Sequence, residues 1–395
     1  FFYRILKQIL SNHYTIIFAL CLYVFNATLI FYSSEVKPYI CDVLVITSIY
    51  YFILRKYEKI ENKYYILGII GTISIFLSYA SPIVLFSCGI YFSYMSLIKK
   101  KLNSRYIVVI LSIWTITFLF YYYFYIYNHP SKGMVNTYWA NMNTFMPINP
   151  FIIDFYQFHF DKIKMIFSQL ISVGNIGRYF IAILYLVGFS CLIYKRNFEI
   201  IILLFFPILI HLLISAFELY PFDLRLILYL IPTIIIVAAY GFEYFNDMIF
   251  KDLKIDRLRF LSILIPFSIL SVTPWYAFPL KREEIKDSIR FIQKNIKKDH
   301  NIYVYYAASE AYEYYEQIGF TNFSVPIIYQ KGDRNNKIEY INEITNLTGK
   351  TWILFMHDWG NEEEYIINSL DSIGYNQIKT FRTHGSSTYL YDFGD

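Results

Sequence analysis

The chain has 395 residues, of which 56% are hydrophobic and only 16% are charged, whereas a soluble domain usually carries about 25% charged residues. The net charge of +5 does not indicate a nucleic-acid partner, because most basic residues lie in short clusters between apolar runs, where they act as topology signals. Residues 281–395 hold 30 of the 65 charges, and this uneven distribution predicts a membrane region at 1–278 and a soluble domain at 279–395.

The apolar segments come first in the chain, and nine of them are candidates for membrane-spanning helices. A helix needs about 20 apolar residues to cross a hydrocarbon core of about 30 Å, and an open strand would leave backbone groups unpaired in lipid. The segments lie at 14–32, 39–55, 64–80, 82–98, 106–127, 176–194, 199–216, 226–245 and 260–277. The third and fourth are short and separated only by Ser81-Pro82, so a re-entrant hairpin is the alternative there.

Basic residues predict the orientation of these spans. With nine spans, 16 Lys and Arg residues fall on one face and six on the other. The positive-inside rule places the richer face in the cytoplasm. The loops at 33–38, 128–175 and 217–225, and the domain after 278, are then extracytoplasmic. We therefore expect a multi-pass protein of the plasma (inner) membrane.

The long loop at 128–175 differs from the short basic loops of the opposite face. It contains Tyr138-Trp139 and Phe145-Met146-Pro147. Two interpretations stay open at this point. The loop is either part of a binding cavity, since long loops often carry function, or an interfacial helix with an aromatic belt.

The C-terminal domain alternates between strand and helix patterns, which predicts a small α/β layer structure. Strands are expected at 301–306, 325–329, 351–357, 378–382 and 387–392, and helices at 309–318, 338–345 and 362–373. No Gly-rich phosphate loop follows the first strand, so nucleotide binding is not indicated.

The first candidate site is Tyr32-Ser33-Ser34-Glu35-Val36-Lys37-Pro38-Tyr39, at the extracytoplasmic end of the first predicted span. Ionisable residues near membrane depth are costly and often functional. Lys37 could hold a lipid phosphate as a point charge. Glu35 could orient a sugar hydroxyl, ligate a divalent metal or pair with Lys37. Asp42 lies one turn past Pro38, where it could pair with Lys37 or be satisfied by a neighbouring helix.

The second candidate site is Glu218-Leu219-Tyr220-Pro221-Phe222-Asp223-Leu224-Arg225, at the extracytoplasmic end of two spans. The guanidinium of Arg225 suits bidentate binding of a phosphate. The alternative is a structural ion pair of Arg225 with Asp223 or Glu218 that shapes a tight turn.

Three further motifs carry less weight. His357-Asp358-Trp359 follows a predicted strand, at a position where α/β domains often hold sites, and His129 lies in the long loop. Asn26-Ala27-Thr28 fits the glycosylation sequon but lies inside a predicted span, so we interpret it as a chance match.

The two candidate segments resemble motifs of the GT-C membrane glycosyltransferases, in particular the relatives of protein O-mannosyltransferases and lipid A aminoarabinose transferases. Tyr32–Tyr39 is similar to the family segment YSQE(A/V)(R/K)PY, and Leu219–Pro232 is similar to a segment of the form YPFxxRLLLFLxP. The Tyr138-Trp139 loop and the α/β domain resemble one bacterial branch of the family. The resemblance covers most of the chain and implies a polytopic α-helical, GT-C-like fold.

This resemblance implies a polyprenyl-phosphate sugar as donor, entering from the outer leaflet, and a lipid, glycan or protein as acceptor. Lys37 and Arg225 would hold the leaving phosphate, since cations stabilise its developing charge, and Glu35 would support the sugar or the acceptor. The other residues assigned to substrate binding are Tyr39, Asp42, Trp139 and Tyr220. The family's main catalytic Asp precedes its second span, and the chain begins near the end of that span, so we expect two spans and this Asp to be missing and the fragment to be inactive.

Two functions of other classes are the alternatives. A non-enzymatic transporter or flippase of a lipid-linked substrate would need charges deeper in the spans or inverted repeats, and no internal repeat is visible. A membrane-anchored binding module would use the C-terminal domain, which would then bind a ligand by itself.

Overall fold

The computed structural model describes residues 1–57, 60–130, 132–171, 174–250, 283–330, 337–358 and 361–394. The chain divides into two compact units, Phe1–Phe278 and Pro279–Asp395. The first is helical, and the second contains a five-stranded sheet with helices in its connections. The predicted ninth span at 260–277 lies outside the described residues, as does Trp359.

The first unit is built from a succession of helices, most of them apolar. They are α1 (Phe2–Ile9), α2 (His13–Val24), α3 (Ala27–Ser33), α4 (Tyr39–Leu54), α5 (Ile60–Leu77), α6 (Ser81–Ser93), α7 (Ser104–Tyr121), α8 (Lys132–Asn141), α9 (Ile153–Met165), α10 (Gly174–Tyr194), α11 (Phe198–Ala216) and α12 (Ile231–Phe250). Short π-helical segments extend α6, α7 and α9, and a 3-10 turn, Leu228–Leu230, leads into α12.

Five helices among the described residues are long and apolar enough to cross a membrane. They are Ser81–Ile98, Ser104–Tyr127, Gly177–Tyr194, Phe198–Ala216 and Leu228–Met248. The bent pair α2 and α3 makes a sixth if it is counted as one span, whereas α4 and the part of α5 from Asn62 to Leu77 are apolar but shorter. The described part of the chain therefore has five or six candidate spans, whereas eight of the nine predicted spans fall within it.

The predicted first span is broken at Asn26, where the axes of α2 and α3 differ by 48°. Asn26 is fully buried, and its Oδ1 accepts a hydrogen bond from the N–H of Leu29 at 2.8 Å. Its Nδ2 donates to the carbonyl oxygens of Leu170 and Ile171, both at 3.0 Å. The amide thus pairs backbone groups of two chain segments, and the asparagine of the apparent sequon is part of this break.

Helices α10 and α12 approach each other closely at two glycines. A Cβ atom on Gly188 would lie 1.9 Å from the carbonyl oxygen of Val237, and one on Gly241 would lie 1.9 Å from that of Leu184. Small residues allow helix backbones to meet in this way, which maximises dispersion contacts in an apolar setting. This pair is the tightest helix contact that the glycines of the first unit permit.

The second unit is an open α/β sheet. Its elements are α13 (Ile285–Asn295), β1 (His300–Val304), α14 (Tyr306–Gln317), β2 (Ile327–Tyr329), α15 (Lys337–Thr345), β3 (Lys350–Met356), α16 (Glu362–Ile373), β4 (Asn376–Thr383) and β5 (Ser386–Asp392). The predicted alternation of strands and helices is confirmed element by element. Helix α13 was not predicted, although Ile285, Ile289 and Ile292 repeat at helical spacing and are all buried.

The strand order of the sheet is β2-β1-β3-β5-β4. β1 pairs in parallel with β2 and β3, while β5 pairs antiparallel with β3 and β4. The central strand β3 reads Lys-Thr-Trp-Ile-Leu-Phe-Met and is buried along most of its length, as expected for a strand covered on both faces. Trp352 at its centre is fully buried, and its indole Nε1 donates to His300 Nδ1 at 3.1 Å.

Candidate functional site

Arg225 lies between two aromatic rings of the first unit. Its guanidinium carbon is 4.5 Å from the ring centre of Trp139 in α8 and 5.8 Å from that of Tyr39 at the start of α4. Tyr39 in turn meets Tyr32 edge to face, with ring centres 5.5 Å apart. We call Tyr39, Trp139 and Arg225 the aromatic–arginine cluster. It joins three segments that are far apart in sequence.

The guanidinium of Arg225 makes neither an ion pair nor a hydrogen bond with any of the described residues. Cation–π contacts fix the plane of the group and leave its N–H donors available at the ring edges. An arginine held in this manner is prepared to receive an anion, most favourably a phosphate or carboxylate that can accept two hydrogen bonds.

Local backbone structure explains how Arg225 reaches this position. After α11 ends, Glu218 adopts a left-handed conformation with φ of 56°, which turns the chain sharply and costs a non-glycine residue about 1–3 kcal/mol. The N–H of Phe222 then donates to the carbonyl oxygen of Thr144 at 2.9 Å. Thr144 also donates its hydroxyl to the carbonyl oxygen of Trp139 at 2.7 Å. The segment that follows α8, the helix of Trp139, is therefore hydrogen-bonded to the turn that carries Arg225.

His211 fixes the same turn from inside α11. It is fully buried; its Nε2 lies 3.0 Å from the carbonyl oxygen of Pro221 and its Nδ1 lies 2.9 Å from the hydroxyl of Tyr229. The rings of Tyr220 and Phe222 pack against it at 5.1 and 4.9 Å. The sequence analysis missed this residue, although a histidine inside the apolar run of α11 is itself a signal of function.

Asp223 pairs with a lysine that the sequence analysis treated only as a topology signal. Lys162 Nζ lies 3.7 Å from Asp223 Oδ2, and the two side chains are 12% and 28% exposed. Burial lowers the pKa of Lys162, and the neighbouring Asp223 opposes this shift. Because Asp223 neutralises Lys162, the alternative of an Asp223–Arg225 ion pair is not the one found.

The remaining predicted site residues lie near the cluster but make different contacts. Lys37 is exposed and forms no ion pair within the described ranges, while Glu35 is half-buried. Asp42 is only 3% exposed, and its Oδ1 has no hydrogen-bond partner in the described part of the chain. Asp42 is close enough to Tyr39 and Tyr220 to interact with both electrostatically. The structure thus groups Tyr39, Trp139 and Arg225, and it shows no contact of Lys37 with them.

A large apolar cavity opens beside the same turn. It has a volume of about 780 Å³ and is lined by α6, α7 and α11, including Phe86, Trp114, Phe118 and Phe217. Leu219, which lines the cavity, belongs to the same segment as Arg225. Pockets for small molecules usually measure about 300–1,000 Å³ and are mostly apolar with a few placed polar groups. The arrangement suits a ligand with an apolar part and an anionic part.

Glu35 does not belong to a metal-binding group in the described residues, where no three His, Cys, Asp or Glu side chains are close enough to hold an ion. Comparison with models of known families finds no match to the chain, and comparison with curated proteins finds none either. The residues of the site are therefore the basis for any functional inference.

Proposed function

We propose that this chain is an integral membrane glycosyltransferase that moves a sugar from a polyprenyl-phosphate donor to a lipid, glycan or protein acceptor at the extracytoplasmic face. The observation that carries the proposal is the aromatic–arginine cluster, in which a guanidinium with no acceptor among the described residues lies at the end of a chain segment that borders an apolar cavity. The GT-C motif resemblance of Tyr32–Tyr39 and Leu219–Pro232 supports the same assignment.

The chemistry of transfer explains why an unpaired arginine is useful. The acceptor hydroxyl attacks the anomeric carbon, its proton passes to a base, and the bond from that carbon to the phosphate oxygen breaks. Negative charge then accumulates on the departing phosphate. Arg225 stabilises that charge with N–H donors that are already oriented by Trp139 and Tyr39. Lys37, which is exposed on the same motif as Tyr39, adds a second positive charge.

Other residues have supporting parts in this mechanism. Glu35 accepts hydrogen bonds from hydroxyls of the sugar or the acceptor. Tyr220 packs on His211 and holds the turn, and Asp42 interacts with the tyrosines that line it. The Lys162–Asp223 pair is neutral as a unit, and Asp223 makes no ion pair with Arg225 in the part of the chain that the structure describes.

A transfer assay tests the proposal. The protein expressed from its complete gene is incubated in membranes with a radiolabelled polyprenyl-phosphate sugar and candidate acceptors, and labelled product is measured. We expect Arg225→Ala to lower kcat/KM by about 100-fold, as for loss of one donor to a developing oxyanion, and Lys37→Ala by about tenfold. Arg178→Ala is the matched control, because Arg178 also lies on an aromatic ring, that of Tyr179, but outside the cluster.

The outcomes separate the enzyme from its main alternative. If Arg225→Ala and Lys37→Ala leave transfer unchanged, the site assignment is wrong. If no lipid donor supports transfer but the lipid phosphate still binds in an Arg225-dependent manner, the chain is a transporter or flippase of lipid-linked substrate.

A further inference from the structure

The parallel strands of the second unit end together at one edge of its sheet. The central strand β3 has β1 in parallel on one side and β5 antiparallel on the other. In open α/β sheets, ligands bind beyond the carboxyl ends of the strands. Because β5 is antiparallel to β3, its first residues also reach this edge, where Ser386 pairs with Met356.

A cavity of about 450 Å³ lies at this edge. Its lining residues include Glu283, His357, Asp358, Glu363, Arg382 and Ser387. His357 directly follows β3 and has a left-handed backbone with φ of 57°, which a non-glycine residue adopts only at a cost. Strained backbone of this kind is concentrated at functional sites, where surrounding contacts hold it in place.

The charged groups of the cavity are held by specific contacts. His357 Nδ1 contacts the carboxylate of Glu283. Asp358 Oδ1 accepts the backbone N–H of Glu363 at 3.1 Å, which holds this carboxylate in place beside the cavity. Glu363 accepts the hydroxyl hydrogen of Tyr389 at 2.6 Å and pairs with Arg382 at 3.3 Å. The cavity therefore presents preorganised acceptors and donors side by side.

Ser387 supplies an independent indication of a ligand. It is only 2% exposed and lines the cavity, and its hydroxyl has no hydrogen-bond partner within the described residues. A buried polar group without a partner costs about 1–3 kcal/mol, so a bound ligand that pairs with it recovers that energy.

The charge of the cavity selects among ligand classes. The cavity is lined by three carboxylates, those of Glu283, Asp358 and Glu363, and by one guanidinium, that of Arg382, so these groups together carry a net negative charge. A phosphate or carboxylate ligand would be repelled. Each sugar hydroxyl both donates and accepts a hydrogen bond, and so it matches alternating carboxylate, hydroxyl and guanidinium groups.

We propose that the C-terminal unit binds an uncharged carbohydrate in the cavity at the carboxyl end of β3, with Asp358 and Ser387 bonding to its hydroxyls. This binding does not depend on sugar transfer by the membrane unit. The carbohydrate is a second ligand, distinct in charge from the phosphate expected at the aromatic–arginine cluster.

Ligand titrations of the full chain in lipid nanodiscs test this inference. The probes are the trisaccharides of mannose, glucose and N-acetylglucosamine, with glucose 6-phosphate as the anionic comparison, and binding is measured by saturation-transfer difference NMR. We expect millimolar or tighter binding of at least one trisaccharide. Asp358→Asn, which keeps the oxygen that accepts the Glu363 N–H, and Ser387→Ala should each weaken it by about tenfold.

Matched controls are available on the same elements. Thr388 is the neighbour of Ser387, is equally buried and also has an unpartnered hydroxyl, but it does not line the cavity, so Thr388→Val should leave binding unchanged. Asp287→Asn changes an exposed carboxylate away from the cavity and should also have no effect.

Three results would overturn the inference: no trisaccharide binds, glucose 6-phosphate binds more tightly than all of them, or Asp358→Asn and Ser387→Ala bind as the parent chain does. Arg225→Ala should bind the trisaccharide normally. The binding experiment can therefore overturn the carbohydrate proposal without affecting the proposal of sugar transfer, and the transfer assay can do the reverse.

Discussion

The two units of the chain differ in charge at the level of sequence and again at their candidate sites. Residues 1–280 contain 22 basic and 13 acidic residues, whereas residues 281–395 contain 13 basic and 17 acidic ones. In the first unit Arg225 lies between aromatic rings without a carboxylate of its own. In the second, Arg382 is held by Glu363 and Tyr389 among several acids.

This difference shows that the contacts of an arginine, more than its presence, determine which ligand charge its site favours. Arg225 retains donors for an incoming anion because its neighbours are rings, and Asp223 is occupied by Lys162. Arg382 donates from Nε and Nη2 to Tyr389 and Glu363, and it lies in a cavity whose other charged groups are mostly acidic. The same residue type thus predicts an anionic ligand in one unit and an uncharged one in the other.

The largest effect is expected on the free energy of unfolding, from a substitution in the core of the second unit. Trp352→Ala removes a fully buried side chain and its hydrogen bond to His300, and should lower the free energy of unfolding by about 3–5 kcal/mol. Urea unfolding followed by circular dichroism measures the loss. Tyr314→Ala, at a position 56% exposed, is the control and should change it by less than about 0.5 kcal/mol. A Trp352→Ala value as small as the control would contradict the packing described for β3.

The next effect concerns the helix pair of the first unit. Gly188→Ala places a Cβ against the backbone of α12 and should destabilise the protein by about 1–3 kcal/mol, seen as a lower melting temperature in detergent. Gly133→Ala is the matched control, because a Cβ there meets nothing within 4 Å and helix propensity favours alanine. Equal melting temperatures for the two variants would mean that α10 and α12 are not in close contact.

A smaller effect distinguishes the role of His211, which positions the turn, from that of Arg225, which we propose binds the phosphate. His211→Leu leaves the Pro221 carbonyl and the Tyr229 hydroxyl without their partner, so the turn loosens and KM for the lipid phosphate should rise about tenfold while kcat changes less. Tyr229→Phe removes one of the two bonds and should raise KM by a smaller factor. A fall in kcat alone would show that His211 acts on the reacting groups rather than on position.

The smallest effect is a pH dependence of the second unit. Burial lowers the pKa of His300, with Lys297 and Lys350 acting in the same direction and Asp299 opposing them. The folded state therefore favours neutral histidine, and its stability is complete above the unfolded pKa of about 6.5 and declines as pH falls below it. Urea midpoints measured between pH 7.5 and 5 should decrease. His300→Gln, which can still accept from the Trp352 indole, should flatten this part of the profile, and an unchanged slope would assign the dependence to another group.

The fold of the second unit was largely predictable from the sequence, because short apolar runs alternate with helical patterns and each run matches a strand. Helix α13 was overlooked, yet its three buried isoleucines carry the usual signal. In the first unit apolar length predicts eight spans within the described residues, where five or six helices are long and apolar enough to cross a membrane. Hydropathy does not register the break at Asn26, which depends on carbonyl groups from a distant segment.

The candidate site was predictable only in part. Arg225, Tyr39 and Trp139 were selected from their motifs, but their contact joins α4, the α8 loop and the turn after α11, and no local pattern contains such long-range pairing. The Lys162–Asp223 pair was missed for the same reason. His211 could have been found, because a histidine within an apolar run is conspicuous in sequence.

The break at Asn26 also has a consequence for biosynthesis. The carbonyl groups of Leu170 and Ile171 that pair with its amide are 144 and 145 residues further along the chain. During synthesis at a membrane, the α2–α3 segment emerges long before those groups exist, so Nδ2 of Asn26 lacks these two acceptors at that stage, while its Oδ1 can still accept from Leu29. We therefore expect the α2–α3 segment to reach its bent form late, after residue 171 has been translated, so that early insertion intermediates differ from the finished protein at this point.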